Sequence, residues 1–193
     1  TWIMLGRTTR EQISQTRAAL LAPGVRLVEA EVRSIGLTDR TVVLESESLS
    51  WDFLVIALGA DLNPAAVPGL GEAAHTFYTI EGAQRLKLAL ERFSGGDVAI
   101  LIPRAPFKCP PAPYEAALLL REAFERRGLL GKTRLAIHTC EGAPMATAGP
   151  EMGEYIKGEL AQRAIEYFPQ RRVSHVDGTS RRVVFEDGSV ARY

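Results

Sequence analysis

Long apolar runs, cysteine pairs, ligand-spaced histidines and net charge are all missing from this chain, and each absence removes a class of function. No apolar stretch approaches the ~20 residues that a helix needs to cross a bilayer. The opening residues TWIMLGRTTRE lack the apolar core of a secretory signal and an initiator Met. Two cysteines, Cys109 and Cys140, are too few for a disulfide scaffold. His75, His138 and His175 are scattered without metal-ligand spacing, so no metal site is expected. Lys plus Arg is 23 and Asp plus Glu is 23, which with only 7% aromatics argues against nucleic acid as a partner. What remains, 46% apolar and 24% charged over 193 residues, suits a globular chain of one large or two small domains.

The most telling absence is local. Val98 to Ile102 is a short apolar run between Gly95-Gly96 and Pro103, the pattern of a buried parallel strand. From Glu115 to Arg127, Ala116, Leu119, Leu120, Ala123 and Phe124 recur at helical spacing. Strand, loop and helix together open a nucleotide-binding βαβ unit, whose loop is normally glycine-rich so that backbone N–H groups can approach a pyrophosphate. Here the loop reads PRAPFKCPPAPYE, with five prolines, one cysteine and no glycine. Each proline removes an N–H donor and fixes φ near −65°. The loop is therefore expected to present a thiol and not to cradle a dinucleotide. A cysteine works as its thiolate, which a helix N-terminus and an adjacent cation such as Lys108 favour. The plain alternative for Cys109 is an inert, buried cysteine.

Along the chain, Trp2 to Leu5 reads as the end of a strand, and a helix is expected from Thr8 to Leu21, before Pro23-Gly24. Val25 to Ile35 alternates as a half-exposed strand, and Thr41–Leu44 pairs with Ser48–Ser50 in a ribbon. Trp51 to Gly59 (WDFLVIALG) reads as a central parallel strand whose carboxyl end faces a ligand crevice. Gly59 is there a close-approach position or an ordinary strand-end turn. Asn63-Pro64 and Val67-Pro68-Gly69 form a linker. Helices are expected over Ile80–Phe93 and Glu151–Tyr167, and strands over Arg134–Thr139 and Arg172–Val176. A hairpin with an Asp187-Gly188 turn follows, and the last strand runs on to Tyr193. Val42 to Trp51 and Val183 to Tyr193 are a loose internal echo that differs by one residue in length. With strands expected at both ends, the chain reads as a piece of a longer protein.

The run WDFLVIALGA at Trp51 to Ala60, with a linker ending in Pro68-Gly69, resembles the two-dinucleotide-fold flavoprotein disulfide reductases. Within that group, FKCPPAPYE at Phe107 to Glu115 resembles the sulfide:quinone oxidoreductase and flavocytochrome c sulfide dehydrogenase branch. The resemblance implies an α/β, three-layer, Rossmann-like FAD/NAD(P)-binding fold with β-ribbon crossovers. Residues 1–74 and 181–193 would then belong to an incomplete FAD domain, and residues 75–180 to an inserted NAD(P)-binding-like domain that carries the redox cysteine.

The same resemblance implies that Cys109 faces a flavin and takes part in a disulfide or persulfide relay, with two electrons passing to FAD. Val32, Ala57, Gly59 and Pro110 are the cofactor-contacting candidates, and Glu115 is a candidate proton acceptor. A carboxylate in the first helical turn is equally favourable through the helix dipole alone. Sulfide is the implied substrate and quinone or cytochrome c the acceptor, with peripheral membrane contact through a further C-terminal part. NAD(P) is not expected, because the phosphate loop is lost. Glu141, at the second strand's end, is accordingly not expected to hold a ribose, and Cys140 is expected to be structural filler. Rival readings are an NAD(P)H:acceptor flavoprotein and a degenerate, non-catalytic binding module. By itself, without the glycine loop for pyrophosphate, this chain is expected to be inactive and to hold FAD weakly.

Overall fold

The computed structural model describes residues 1–193. It divides into two compact units, Ser14–Asp61 and a larger one built from Thr1–Ile13 and Leu62–Tyr193.

The smaller unit is organised by a three-stranded antiparallel meander, β1 (Val32–Gly36), β2 (Thr41–Leu44) and β3 (Ser48–Ser50). Val32 pairs with Leu44 and Gly36 with Thr41, with a bulge between Val32 and Ser34. The expected strand from Val25 begins only at Val32, because β2 is four residues long and offers no partner beyond Leu44. The expected helix from Thr8 to Leu21 is two separate turns, Arg10–Ile13 and Arg17–Leu20. Thr16 interrupts it with an extended backbone, and its hydroxyl caps the second turn by accepting the Ala19 N–H. Neither turn buries a residue, and helices this short need packing to lengthen.

Trp51 to Gly59 is not a strand. A parallel strand needs a hydrogen-bonded neighbour, and β1, β2 and β3 pair only among themselves. Its apolar side chains stay exposed, Phe53 at 94% and Leu58 at 89%.

The larger unit is three-layered. A parallel sheet runs β4 (Gly96–Ile102), β5 (Thr133–Thr139), β6 (Ile165–Phe168) in that order. Period-two alternation sends its side chains to opposite faces. Val98, Ile100, Ile102, Leu135 and Ile137 join one core with α1 (Ile80–Arg92), α2 (Ala112–Arg126) and α3 (Pro150–Gln162). On the other face, Leu101 and His138 meet a second meander, β7 (Val173–Asp177), β8 (Arg182–Phe185) and β9 (Val190–Arg192). Val67, Leu70 and Ala73, in and after the expected linker, pack into that second core.

Two expectations need correction here. Trp2 to Leu5 is a 3-10 turn over Ile3–Leu5 whose Ile3 and Met4 are buried in the helix-side core. The helix expected to reach Tyr167 stops at Gln162. Ala164 then turns the chain through a left-handed φ of 51°, and the β-favouring Ile165–Phe168 pairs in parallel with Leu135–His138.

The internal echo is structural. Both meanders bulge near the start of their first strand, at Val32/Ser34 and at Val173/His175. Both place an arginine at φ 52° immediately before the middle strand, Arg40 and Arg181. Thr41 pairs with Ser50 and Arg182 with Arg192, so the second connection is one residue longer. In that connection Gly188 takes φ 79°, and Asp187 accepts the Ser189 N–H at 2.9 Å.

Candidate functional site

The loop from Pro103 to Pro111 carries the chain from the end of β4 to the start of α2. The Ala105–Pro106 peptide is cis. Phe107 packs partly buried against the helix-side core, and two residues later Cys109 is exposed. Cys109 has a left-handed backbone at φ 50°, a region that costs a side-chain-bearing residue about 1–2 kcal/mol. Its carbonyl accepts the Ala112 N–H at 3.0 Å and so closes the turn into α2.

The start of α2 has few donors to offer. Pro111 and Pro113 have no N–H, Ala112 gives its N–H to Cys109, and Glu115 gives its N–H to the Pro111 carbonyl at 2.9 Å. Pro110 lies half-buried beside the cysteine. Glu115 is exposed, and its Oε1 accepts the Thr1 hydroxyl at 2.7 Å.

One neighbour of Cys109 was not legible in the sequence. Tyr78, just ahead of α1, has its phenol pushed up to about 12, first by burial and then by the charge of Cys109. Its ring stacks on Phe77 at 5.1 Å between centroids. Only the lone aromatic pair Phe77-Tyr78 ahead of the helix marked this place in the sequence.

At the end of β5, Cys140 is half-buried and its backbone N–H donates to the Ile102 carbonyl at 3.0 Å. Burial, followed by the Glu141 carboxylate, raises its thiol, which disfavours the reactive thiolate. Both cysteines are free thiols. Next to Cys140, Glu141 accepts the Tyr114 hydroxyl at 3.1 Å.

The remaining cofactor candidates lie in the smaller unit. Val32 is exposed at the start of β1, and Ala57 and Gly59 are exposed in the extended segment. Gly59 adopts φ 74°, and nothing lies within 4 Å of where a Cβ would stand. Its backbone is therefore uncrowded, and its positive φ suits glycine.

A cleft of about 430 Å³ in the larger unit is lined by Asp97, Arg134, His138, Phe168, Arg171 and Arg192. It lies against the amino-terminal half of β4, whereas the Cys109 loop leaves the carboxyl end. His138 is 4% exposed there and stacks on Phe168 with centroids 4.7 Å apart. No helix is long and apolar enough to cross a membrane.

Residues 83–192 match the family model described as the central part of the flavoprotein chain of sulfide dehydrogenase (flavocytochrome c). The chain is 24% identical over 149 residues to the mitochondrial sulfide:quinone oxidoreductase of Mus musculus, covering 73% of this chain and 33% of that protein. It is 34% identical over 116 residues to an alternative NAD(P)H-ubiquinone oxidoreductase of Arabidopsis thaliana, covering 57% of this chain and 22% of the relative. The chain thus spans a third or less of these curated relatives. Among solved structures, the sulfide:quinone oxidoreductase of Aquifex aeolicus aligns with 98% of this chain and 45% of its own, at a TM-score of 0.74 and 24% identity. A putidaredoxin reductase, solved in covalent complex with putidaredoxin, aligns with all of this chain and 45% of its own, at a TM-score of 0.64 and 16% identity. These neighbours share the Rossmann-like FAD/NAD(P)-binding fold.

Proposed function

We propose, for a chain that belongs to the family of the flavocytochrome c sulfide dehydrogenase flavoprotein, central part, that it serves an FAD-dependent oxidoreductase which oxidises sulfide at Cys109. The observation that carries this reading is the exposed, left-handed Cys109 at the point where a nucleotide fold would hold phosphate. The names of the mouse and Aquifex relatives support sulfide as substrate and quinone as acceptor. The family's own name supports cytochrome c as the alternative acceptor.

In this reading Cys109 forms a disulfide with a second cysteine. Hydrosulfide attacks that disulfide, a new S–S bond forms as a persulfide, and the other cysteine leaves as its thiolate. The sulfide sulfur is then oxidised by two electrons and the cysteine pair is reduced by two. A second hydrosulfide takes the outer sulfur of the persulfide and leaves two cysteine thiolates; FAD, when bound, would supply the two-electron acceptor that returns them to a disulfide, with quinone or cytochrome c as the onward acceptor. Glu115 takes up the proton released from hydrosulfide. The backbones of Val32, Ala57 and Gly59 would contact FAD, with Pro110 beside the thiol. Residues 1–74 and 181–193 would belong to the FAD domain and residues 75–180 to the inserted one.

A second reading, an NAD(P)H:acceptor flavoprotein, has the Arabidopsis relative in its favour. Against it stand the proline-filled loop and the engagement of Glu141 by Tyr114. Anaerobic titration of the flavin-loaded full-length protein decides between them. Sulfide is expected to bleach the flavin and NADH to leave it oxidised; the reverse result selects the second reading.

A further inference from the structure

Glu141 follows β5, at the strand end where a nucleotide fold commonly keeps the acid that holds a ribose. Here the chain's own residues engage that acid. The Tyr114 hydroxyl donates to Glu141 Oε2 at 3.1 Å. Thr139 Oγ1 lies 3.5 Å from the same oxygen and accepts the Glu141 N–H at 3.1 Å. The Glu141 carbonyl accepts the Gln170 N–H at 2.9 Å, and the Thr139 carbonyl accepts the Arg171 N–H at 2.8 Å. Glu141 is thus fixed from both sides of the turn that follows β5.

Tyr114 is in the first turn of α2, the helix that begins immediately after the Cys109 loop. Its side chain is 3% exposed, and its ring lies against Tyr167 at 6.4 Å between centroids. Burial, then the Tyr167 and Glu141 charges, push its phenol well above the ordinary range, so it remains a donor. A buried hydroxyl of this kind is costly to leave without its partner. The bond therefore ties the first turn of α2 to the end of β5.

We propose that Tyr114 and Glu141 are positioning residues for Cys109. An exposed cysteine in the left-handed region has little packing of its own to hold it there. Its carbonyl is held by Ala112, and Ala112 belongs to the same helical turn as Tyr114. Whatever fixes that turn fixes the thiol, and the acid that would have served a nucleotide now serves the cysteine. The importance of this device for turnover rests on the sulfide-relay reading above, but the positioning itself can be measured without turnover.

The test uses this 193-residue chain carrying Cys140→Ser, in which Cys109 is the one remaining thiol, and reads the rate at which iodoacetamide alkylates the folded chain. Tyr114→Phe and Glu141→Ala are each expected to change that rate by about threefold or more, in the same direction. The double variant is expected to go no further than the larger single effect, because both remove one interaction. Glu141→Gln keeps an acceptor oxygen and is expected to restore the rate to within about twofold of the parent. Rates that stay at the parent value in Tyr114→Phe and Glu141→Ala overturn the proposal. So does Glu141→Gln behaving like Glu141→Ala, since an effect not restored by the acceptor is merely structural. A response as expected, with sulfide-dependent flavin reduction intact in Cys109→Ser, leaves the positioning standing and removes the relay. Unresponsive alkylation, with flavin reduction lost in Cys109→Ser, does the opposite.

Discussion

The Cys109 carbonyl accepts the Ala112 N–H at 3.0 Å while Cys109 itself sits at φ 50°. The residue that would do the chemistry is also the one that turns the chain into α2. Glycine is the usual occupant of such a backbone, and a cysteine that persists there trades stability for a fixed, exposed thiol.

This trade is measurable. Replacing Cys109 by glycine relieves the left-handed strain, whereas alanine keeps it, and the exposed side chain leaves little packing to lose. The Cys109→Gly protein is expected to be more stable than Cys109→Ala by about 1 kcal/mol in urea unfolding. Equal midpoints for the two variants would show that the backbone is unstrained.

His138 predicts a pH dependence. Burial, then Arg171 and Arg134, lower its pKa from 6.5 to about 4, with Glu166 opposing. The unfolded chain therefore takes up a proton between pH 6.5 and 4 that the folded chain refuses. Stability from the neutral imidazole is fully present above about pH 6.5 and falls with pH through that window, by about 3 kcal/mol at most. His138→Phe keeps an aromatic ring against Phe168 and is expected to flatten this part of the stability profile. An unchanged slope would show that His138 titrates alike in the folded and unfolded chain.

Two glycines separate steric need from conformational cost. A Cβ on Gly69, at φ 75°, would stand 2.0 Å from the Val176 carbonyl oxygen, where the Pro68 carbonyl accepts the Val176 N–H. Gly24, at φ 87°, has nothing within 4 Å. Gly69→Ala is expected to cost more than about 3 kcal/mol, and Gly24→Ala about 1 kcal/mol. Thermal unfolding of both variants checks the order; equal losses would contradict the packing of the linker on β7.

In the parallel sheet, burial outweighs charge. Arg134 donates to both oxygens of Glu166 across β5 and β6, at 2.9 and 2.7 Å, but both side chains are well exposed. Glu166→Gln is expected to cost less than about 1 kcal/mol. Ile137, fully buried in the middle of β5, is expected to cost about 2–5 kcal/mol as alanine. Denaturant midpoints that reverse this ranking would contradict the layer assignment.

The sequence carried the strand–loop–helix around Cys109, the β4–β5 pair and the two-stranded ribbon within each meander, because periodicity and turn chemistry are local. It misled at Trp51 to Gly59, where an apolar run predicts a strand but pairing needs a neighbour that β1, β2 and β3 do not provide. It misled again at Glu151 to Tyr167, where helical spacing ran on past the left-handed Ala164 into β6. Tyr78 was hidden because its proximity to Cys109 is purely tertiary. Glu141 was visible as a strand-end acid, yet nothing in its neighbourhood along the chain indicated Tyr114 as its partner.

Sulfide-dependent reduction of the flavin in the Cys109→Ser form of the flavin-loaded full-length protein tests the central claim most directly. The account predicts that Cys109→Ser retains the flavin and its spectrum while sulfide no longer bleaches it. Bleaching by sulfide at the parent rate in Cys109→Ser would contradict it.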